Sequence, residues 1–398
     1  MFRMINGKVS LKALLFLQKR SKKQNKFNAV QTKKENKVTR PIMIKRKTNN
    51  SLSLKNMIVR KERWIRSFIN TKIGLIPVIA NTLTHYDTYG TINARIGINR
   101  HNYSIIPGLY ASGKPDANSP VLVTANYKLT FDKVRSSLQG ISAWILLLDT
   151  KGVNVWCAAG KGTFGTKELI KQIEVTKIGE LINHKSLILP QLGAPGVSGY
   201  EVTKKTGLSI HYGPVYAKDI PAYINRSMVK TDEEKIIHFT TIDRLVLTPI
   251  EIKSALVSSI IAGIIFFIAH SIASQSFTLK FLNDYFSFLG AIITGGFIFP
   301  LILPILPFRS FALKGALLGL FYSVILAFFN KSSLGNILFG FCIYIPVISF
   351  MALNFTGATT FTSISGVKKE IKIATPLYLL SVITGIIIKI IILIRSAL

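Results

Sequence analysis

Short continuous apolar runs alternate with segments of helical spacing through the middle of the chain. Residues 121–124, 143–148, 186–189 and 208–212 are the apolar runs; between them 131–138, 166–177 and 196–205 repeat apolar positions at the interval of a helix. Continuous hydrophobic strands joined by helical crossovers predict a parallel sheet covered on both faces, a Rossmann-like α/β domain. Ligands of such sheets bind outside the carboxyl ends of the strands. Here those ends run into Thr124-Ala125-Asn126, Thr150-Lys151-Gly152, Gln191-Leu192-Gly193 and Gly213-Pro214, small or polar groups that admit a large flat ligand. Residues 72–113 read as an irregular cap or β arm with no assignable chemistry.

Beyond Lys253 the pattern changes to five apolar stretches, 254–274, 285–306, 311–329, 335–354 and 375–394. Each meets the roughly 20 residues a helix needs to cross about 30 Å of hydrocarbon with its backbone internally paired. The fold class expected is therefore an α/β domain followed by an all-α transmembrane domain of five helices, divided as 1–66, 67–245 and 246–398. Basic residues near the span ends orient the chain: Arg244, Lys253, Arg309, Lys314, Lys368, Lys369 and Lys372 share the side of the α/β domain, against Lys280, Lys331 and Arg395. The expected location is the inner, cytoplasmic membrane, with the α/β domain facing the cytoplasm. Pro300, Pro304 and Pro307 should bend the second span. Lys389 is the one clear charge within the spans, which on this reading lack the paired ionisable residues of a translocation path; this argues against a transporter. Cys342, mid-span, reads as a small packing residue. The Thr/Ser/Gly-rich stretch 354–370 reads as an ordered interaction surface.

Composition adds a third region. Residues 1–66 hold 20 Lys and Arg against Glu35 and Glu62, so this leader carries +18 of the chain's +32. So polar and aromatic-poor a segment cannot offset its ordering entropy and is expected to be largely disordered. It is either a solvated tail or an adhesive for the anionic leaflet, where each basic residue contributes about 1 kcal/mol. Nucleic acid is excluded as a partner, because no aromatics are interleaved for stacking and no reading motif is present. The apolar patch 13–17 lacks a cleavage site, which argues against a secretory signal peptide.

Chemistry concentrates at residues 154–165, NVWCAAGKGTFG, directly after the apolar run that ends at Asp149. Gly160, Gly162 and Gly165 spell the dinucleotide fingerprint, but ten residues separate Asp149 from Gly160, whereas that fingerprint needs its first glycine at the strand end. On residue type alone, a single Cys beside Trp and two Ala is more often a core thiol than a reactive one. The surroundings change those odds. Asn154 is a strong N-cap, so Val155, Trp156, Cys157, Ala158 and Ala159 can form a short helix whose first-turn N–H groups favour a thiolate. Lys161 adds positive charge, and Gly160 ends the turn. A thiolate on a helix of small residues can face a planar macrocycle closely. Only Cys157 and Cys342 occur in the sequence, so neither a disulfide framework nor an iron–sulfur or zinc motif is present.

Asn154 to Lys161 match throughout the pattern N-(V/I)-W-C-A-(A/G)-G-K of the membrane-bound corrinoid proteins of mercury methylation, the HgcA family, which this chain resembles. The likeness continues through VLVTANYKLTFD from Val121, LILPQLGAPGVSG from Leu187, HYGPV from His211, DRLVLTP from Asp243, FRSFALKG from Phe308 and MALNFTG from Met351, and covers roughly residue 85 onward. The resemblance implies a corrinoid cofactor (cobalamin, as methylcob(III)alamin) whose cobalt takes Cys157 as its lower axial ligand. It further implies cofactor contacts along Asn154, Val155, Trp156, Cys157, Ala158, Ala159, Gly160 and Lys161, and hydrogen bonds from Thr124 and Thr130. Trp156 either packs along the macrocycle edge or fills the core. The activity implied is transfer of the methyl group to Hg(II), a soft acceptor, as a carbanion equivalent; two electrons must then restore the cofactor. The implied electron donor is a ferredoxin-like partner with two 4Fe–4S clusters. The DxHxxG motif of base-off corrinoid proteins is absent around His85, His101, His184, His211, His238 and His270, which suits cysteine ligation. A corrinoid methyl carrier of one-carbon metabolism with another acceptor is the main rival.

Overall fold

The computed structural model describes residues 62–275, 279–359 and 364–397. They form two compact units: residues up to Thr82 together with Ser104–Val229, and Leu83–Tyr103 together with the chain from Lys230. Residues 1–61 of the basic leader lie outside the described residues. Its last residues do not behave as a tail, because Trp64 and Ile65 are buried and the first strand starts at Ile65.

The first unit is built on seven strands: β1 (Ile65–Thr71), β2 (Gly74–Ile79), β3 (Gly108–Ser112), β4 (Val121–Ala125), β5 (Ala143–Leu148), β6 (Ser186–Leu189) and β7 (Ser209–Tyr212), in the order β1-β2-β3-β5-β4-β6-β7. The sheet is mixed, not parallel throughout as the apolar runs predict. The run β5-β4-β6-β7 is parallel, whereas β3 is antiparallel to β5 and β1 is antiparallel to β2. A two-residue connection between β1 and β2 permits only a hairpin, and an apolar run carries no information about strand direction.

Side chains alternate across β4 and β5 and create two cores. Val121, Val123, Ala125, Leu146 and Leu148 pack with the helices α2 (Val155–Lys161), α3 (Thr166–Thr176) and α4 (Gly199–Thr206). Leu122, Ile145 and Leu147 pack with α1 (Lys128–Ser137) and α5 (Ile220–Asn225). Helices thus cover both faces, and every residue of β4 and β5 is buried. Helix α1 begins earlier than its apolar spacing predicts, because its buried stripe includes charge. Lys128 Nζ bonds both oxygens of Asp132 at 2.6 Å, Arg135 Nε bonds Asp132 Oδ1 at 2.6 Å, and Arg135 Nη1 reaches the carbonyl of Ala80 at 2.6 Å.

Among the described residues, the second unit contains five helices long and apolar enough to cross a membrane. They are α6 (Thr248–Ser274), α7 (Phe281–Ile293), α8 (Phe311–Phe329), α9 (Leu334–Phe355) and α10 (Ile364–Ala397). Helix α7 passes through a π-helical turn, Thr294–Ile298, into Phe299–Ile302, so the wide turn, together with Pro300, places the irregularity expected of the second span. Helices α8 and α9 touch backbone to backbone. A Cβ on Gly319 would meet Ile345 Cα at 2.8 Å, and one on Gly315 would meet Ser349 Cα at 2.7 Å, the close approach that small residues four apart allow.

Three expectations change here. The stretch 72–113 holds β2, β3 and a helix, His85–Ile96, rather than an irregular arm. Residues 364–370 of the expected surface loop belong to α10, because Lys368, Lys369 and Glu370 extend the helix beyond its apolar stretch. And Lys389 is not an isolated charge: its Nζ lies 2.5 Å from Asp284 Oδ2, which also lies 2.9 Å from His270 Nε2, so α6, α7 and α10 meet at a charged cluster. Asp284 falls one residue outside the span read from hydropathy, which hid the pair.

Candidate functional site

Helix α2 follows the carboxyl end of β5 through the loop 149–154. Asn126, at the carboxyl end of β4, holds that loop. Its Oδ1 accepts from Thr150 N–H at 3.1 Å, Thr150 Oγ1 at 2.9 Å and Gly152 N–H at 3.2 Å, while its Nδ2 donates to the carbonyl of Ile105 at 3.0 Å. Thr150 Oγ1 also donates to the Val153 carbonyl at 2.6 Å. Sequence reading placed Asn126 only among strand-end polar groups; its burial is the missing information. Asn126→Leu strands these loop N–H groups in the interior, and each unsatisfied buried group costs about 1–3 kcal/mol. The expected result is a loss of roughly 3 kcal/mol of stability, measured by thermal unfolding, with faster proteolysis at Lys151.

Within α2 the expected N-cap is present: Asn154 Oδ1 accepts from the Cys157 N–H at 2.9 Å. The C-terminus differs. Gly160 and Lys161 are helical, and the left-handed residue that ends the helix is Gly162, at φ 78°. Val155, Ala158 and Ala159 are buried in the core. The opposite face carries Trp156, 39% exposed, with Gly160 and Lys161, and Cys157 borders it half-exposed. Trp156 is therefore not core filler. Behind α2 lies the 3₁₀ turn Gln191–Gly196; a Cβ on Gly196 would meet Ala159 Cα at 3.1 Å, so glycine there lets the turn press against the helix. Tyr212 Oη fixes the next segment by donating to the Val197 carbonyl at 2.7 Å. Burial pushes its pKa up and keeps it a donor.

Thr124 and Thr130 sit elsewhere on the same edge. Thr124 is 2% exposed in β4 and shares the parity of Leu122, on the sheet face covered by α1; Thr130 is half-buried in the first turn of α1. Helix α2 covers the other face. A ligand touching both threonines and Cys157 has to lie across the carboxyl edge of the sheet, where such ligands bind. Two prominent cavities lie away from Cys157, one of about 790 Å³ beside Asn81, Lys114 and Gly140, at the amino edge of the central strands, and one in the second unit.

A flat macrocycle with an axial sulfur ligand fits these residues. A Cβ on Gly160 would meet nothing within 4 Å, so the face beside Cys157 is open, and the thiol is accessible. The donor is soft, as suits a metal taking one thiolate from the protein.

The family model of the CO dehydrogenase/acetyl-CoA synthase delta subunit (CdhD) matches residues 23–224, half of the sequence, including all of β1 through α5 up to Ile224. The chain belongs to this family. Among individual relatives, the acetyl-CoA decarbonylase/synthase complex subunit gamma of Methanopyrus kandleri is 36% identical over 138 residues, 34% of this chain and 29% of the relative. That of Archaeoglobus fulgidus is 31% identical over 177 residues, 42% of this chain and 37% of the relative. The chain thus spans less than two-fifths of the length of these relatives. The matched family segment contains the whole edge from Thr124 to Pro214 and ends before the five apolar helices.

Proposed function

We propose that this CdhD-family chain is a membrane-spanning corrinoid methyl carrier that delivers its methyl group to Hg(II), with Cys157 as the axial ligand of the cobalt. The observation that carries the reading is the half-exposed Cys157 on the open face of α2, the helix that follows the carboxyl end of β5. When bound, a corrinoid supplies a cobalt-held methyl group that a soft electrophile can accept.

The chain's own residues supply the rest. Asn154 and Gly162 fix the two ends of α2, while Val155, Ala158 and Ala159 anchor it in the core, so the sulfur is presented from a rigid element. Cys157 would be the protein's donor to the cobalt, and a soft thiolate there would suit a methyl group released with its electrons. Trp156 and Lys161 flank the sulfur on the open face, suited to the macrocycle edge and its polar side chains. Two cysteines cannot ligate a 4Fe–4S cluster, so within this reading electrons come from the ferredoxin-like partner. The five helices long and apolar enough to cross a membrane support a carrier in the cytoplasmic membrane, and the basic residues near their ends support a cytoplasmic side for the sheet unit.

The family match favours a second reading, a methyl carrier of one-carbon metabolism, whose acceptor is not mercury. Membranes holding the chain, loaded with a methylated corrinoid and supplied with reduced ferredoxin-like partner and Hg(II), separate the two. Methylmercury is expected; retained corrinoid with none formed moves the assignment to the second reading, and protein that binds no B12 derivative removes both. Cys157→His should keep the corrinoid, shift its visible absorption and slow methylation, because imidazole donates less charge than thiolate.

A further inference from the structure

The second unit contains a cavity of about 730 Å³ between α8, α9 and α10, within the roughly 300–1,000 Å³ of small-molecule sites. It follows α10 from Gly366 to Ser381, about 22 Å at 1.5 Å per residue. Its two ends differ. Where α8 begins, it is lined by Arg309 and Lys369, both exposed, and by Glu370; farther along it is lined by Leu313, Ala316, Ile345 and Leu377.

The polar groups inside are already engaged with the protein. Ser349 Oγ lies 2.6 Å from both the Ala312 carbonyl and Tyr378 Oη, and Ser381 Oγ donates to the Cys342 carbonyl at 2.9 Å. Glu370 Oε2 accepts from Ser310 Oγ and the Ala312 N–H, each at 3.0 Å, so its carboxylate closes the start of α8 rather than facing Arg309 or Lys369 in any ion pair described. The deep end therefore asks for hydrocarbon and the shallow end for an anion.

We propose that this cavity is a binding site for one anionic phospholipid, its phosphate at Arg309 and Lys369 and one acyl chain along α10. The inference rests on these helices spanning a membrane and is independent of the chemistry at Cys157. Charge complementarity selects the head group: Lys368 and Lys372 add to the basic end, and basic residues near a lipid surface favour anionic head groups. The length suits one leaflet with its head-group layer, about half of the roughly 40–45 Å of a whole bilayer.

The test uses the full chain in detergent, titrated with phosphatidylglycerol or with phosphatidylcholine of the same acyl chains, and bound lipid counted by native mass spectrometry. One phosphatidylglycerol should be retained about thirtyfold more tightly than phosphatidylcholine, whose choline cation offsets the phosphate charge that the two basic residues face, while glycerol phosphate alone at equal concentration displaces none of it. Arg309→Gln with Lys369→Gln should bring the two lipids to parity, and Ala316→Trp, which fills the apolar end, should remove both. Circular dichroism confirms the variants as folded, and Lys253→Gln serves as the charge control. Equal retention of both lipids by the native chain, an unchanged preference in the double variant, or full binding by Ala316→Trp overturns the proposal.

Discussion

Cys157→Ala should leave the protein folded and inserted in membranes and, on the function proposed above, remove methyl transfer. The two halves of that outcome have separate causes. Asn154 caps α2 through the backbone N–H of residue 157, not through its sulfur, and the side chain is half-exposed, so stability should change by no more than about 0.5–1 kcal/mol. Transfer should fall by more than roughly 100-fold, since losing even a group that orients a metal ligand costs 10–100-fold. Methylmercury formation by membranes of equal protein content reads the second effect, and thermal unfolding reads the first. Activity within tenfold of the native chain would show that the sulfur is not the axial donor. Loss of folding would instead assign Cys157 to the core, against its exposure.

How much of this was legible beforehand depended on whether a residue's role is written in its own neighbourhood. The strands β4 to β6 were, because each is a short run of mostly apolar residues, with β7 readable only from its alternation, since Ser209 and His211 interrupt it, and so was the Asn154 cap, a local arrangement of one side chain and one N–H. The helix His85–Ile96 was not: its internal Gly90 and sparse apolar residues hide it, although Thr84 and Asp87 form a capping box at its start. Asn126 and the Lys128–Asp132–Arg135 group were missed for a different reason. Buried polar residues look like surface in a sequence, and only the tertiary structure supplies the carbonyls and N–H groups that satisfy them. The same holds at the edge of the sheet, where Thr124 in β4 shares the face covered by α1 and Cys157 lies on α2, which covers the other face.

Removing Asp284 should be the most damaging change in the second unit. Its carboxylate bridges Lys389 on α10 and His270 on α6, with side chains only 18%, 12% and 12% exposed respectively, and the Lys389 ammonium also sits 4.9 Å from the Phe339 ring centre. Asp284→Leu leaves an ammonium among apolar helices without its counter-charge, a loss of about 3 kcal/mol by the cost of breaking a buried pair or placing lysine in a bilayer. Asp284→Leu with Lys389→Leu removes both charges and should recover most of that loss, since a well-packed apolar pair is often as stable as the ion pair it replaces. Thermal unfolding in detergent, run as a double-mutant cycle, measures the coupling. If the cluster acts as a clamp between α6, α7 and α10, the double variant also regains native methylation when corrinoid and partner are supplied. A double variant that is stable yet inactive would instead make the three groups part of the working machinery.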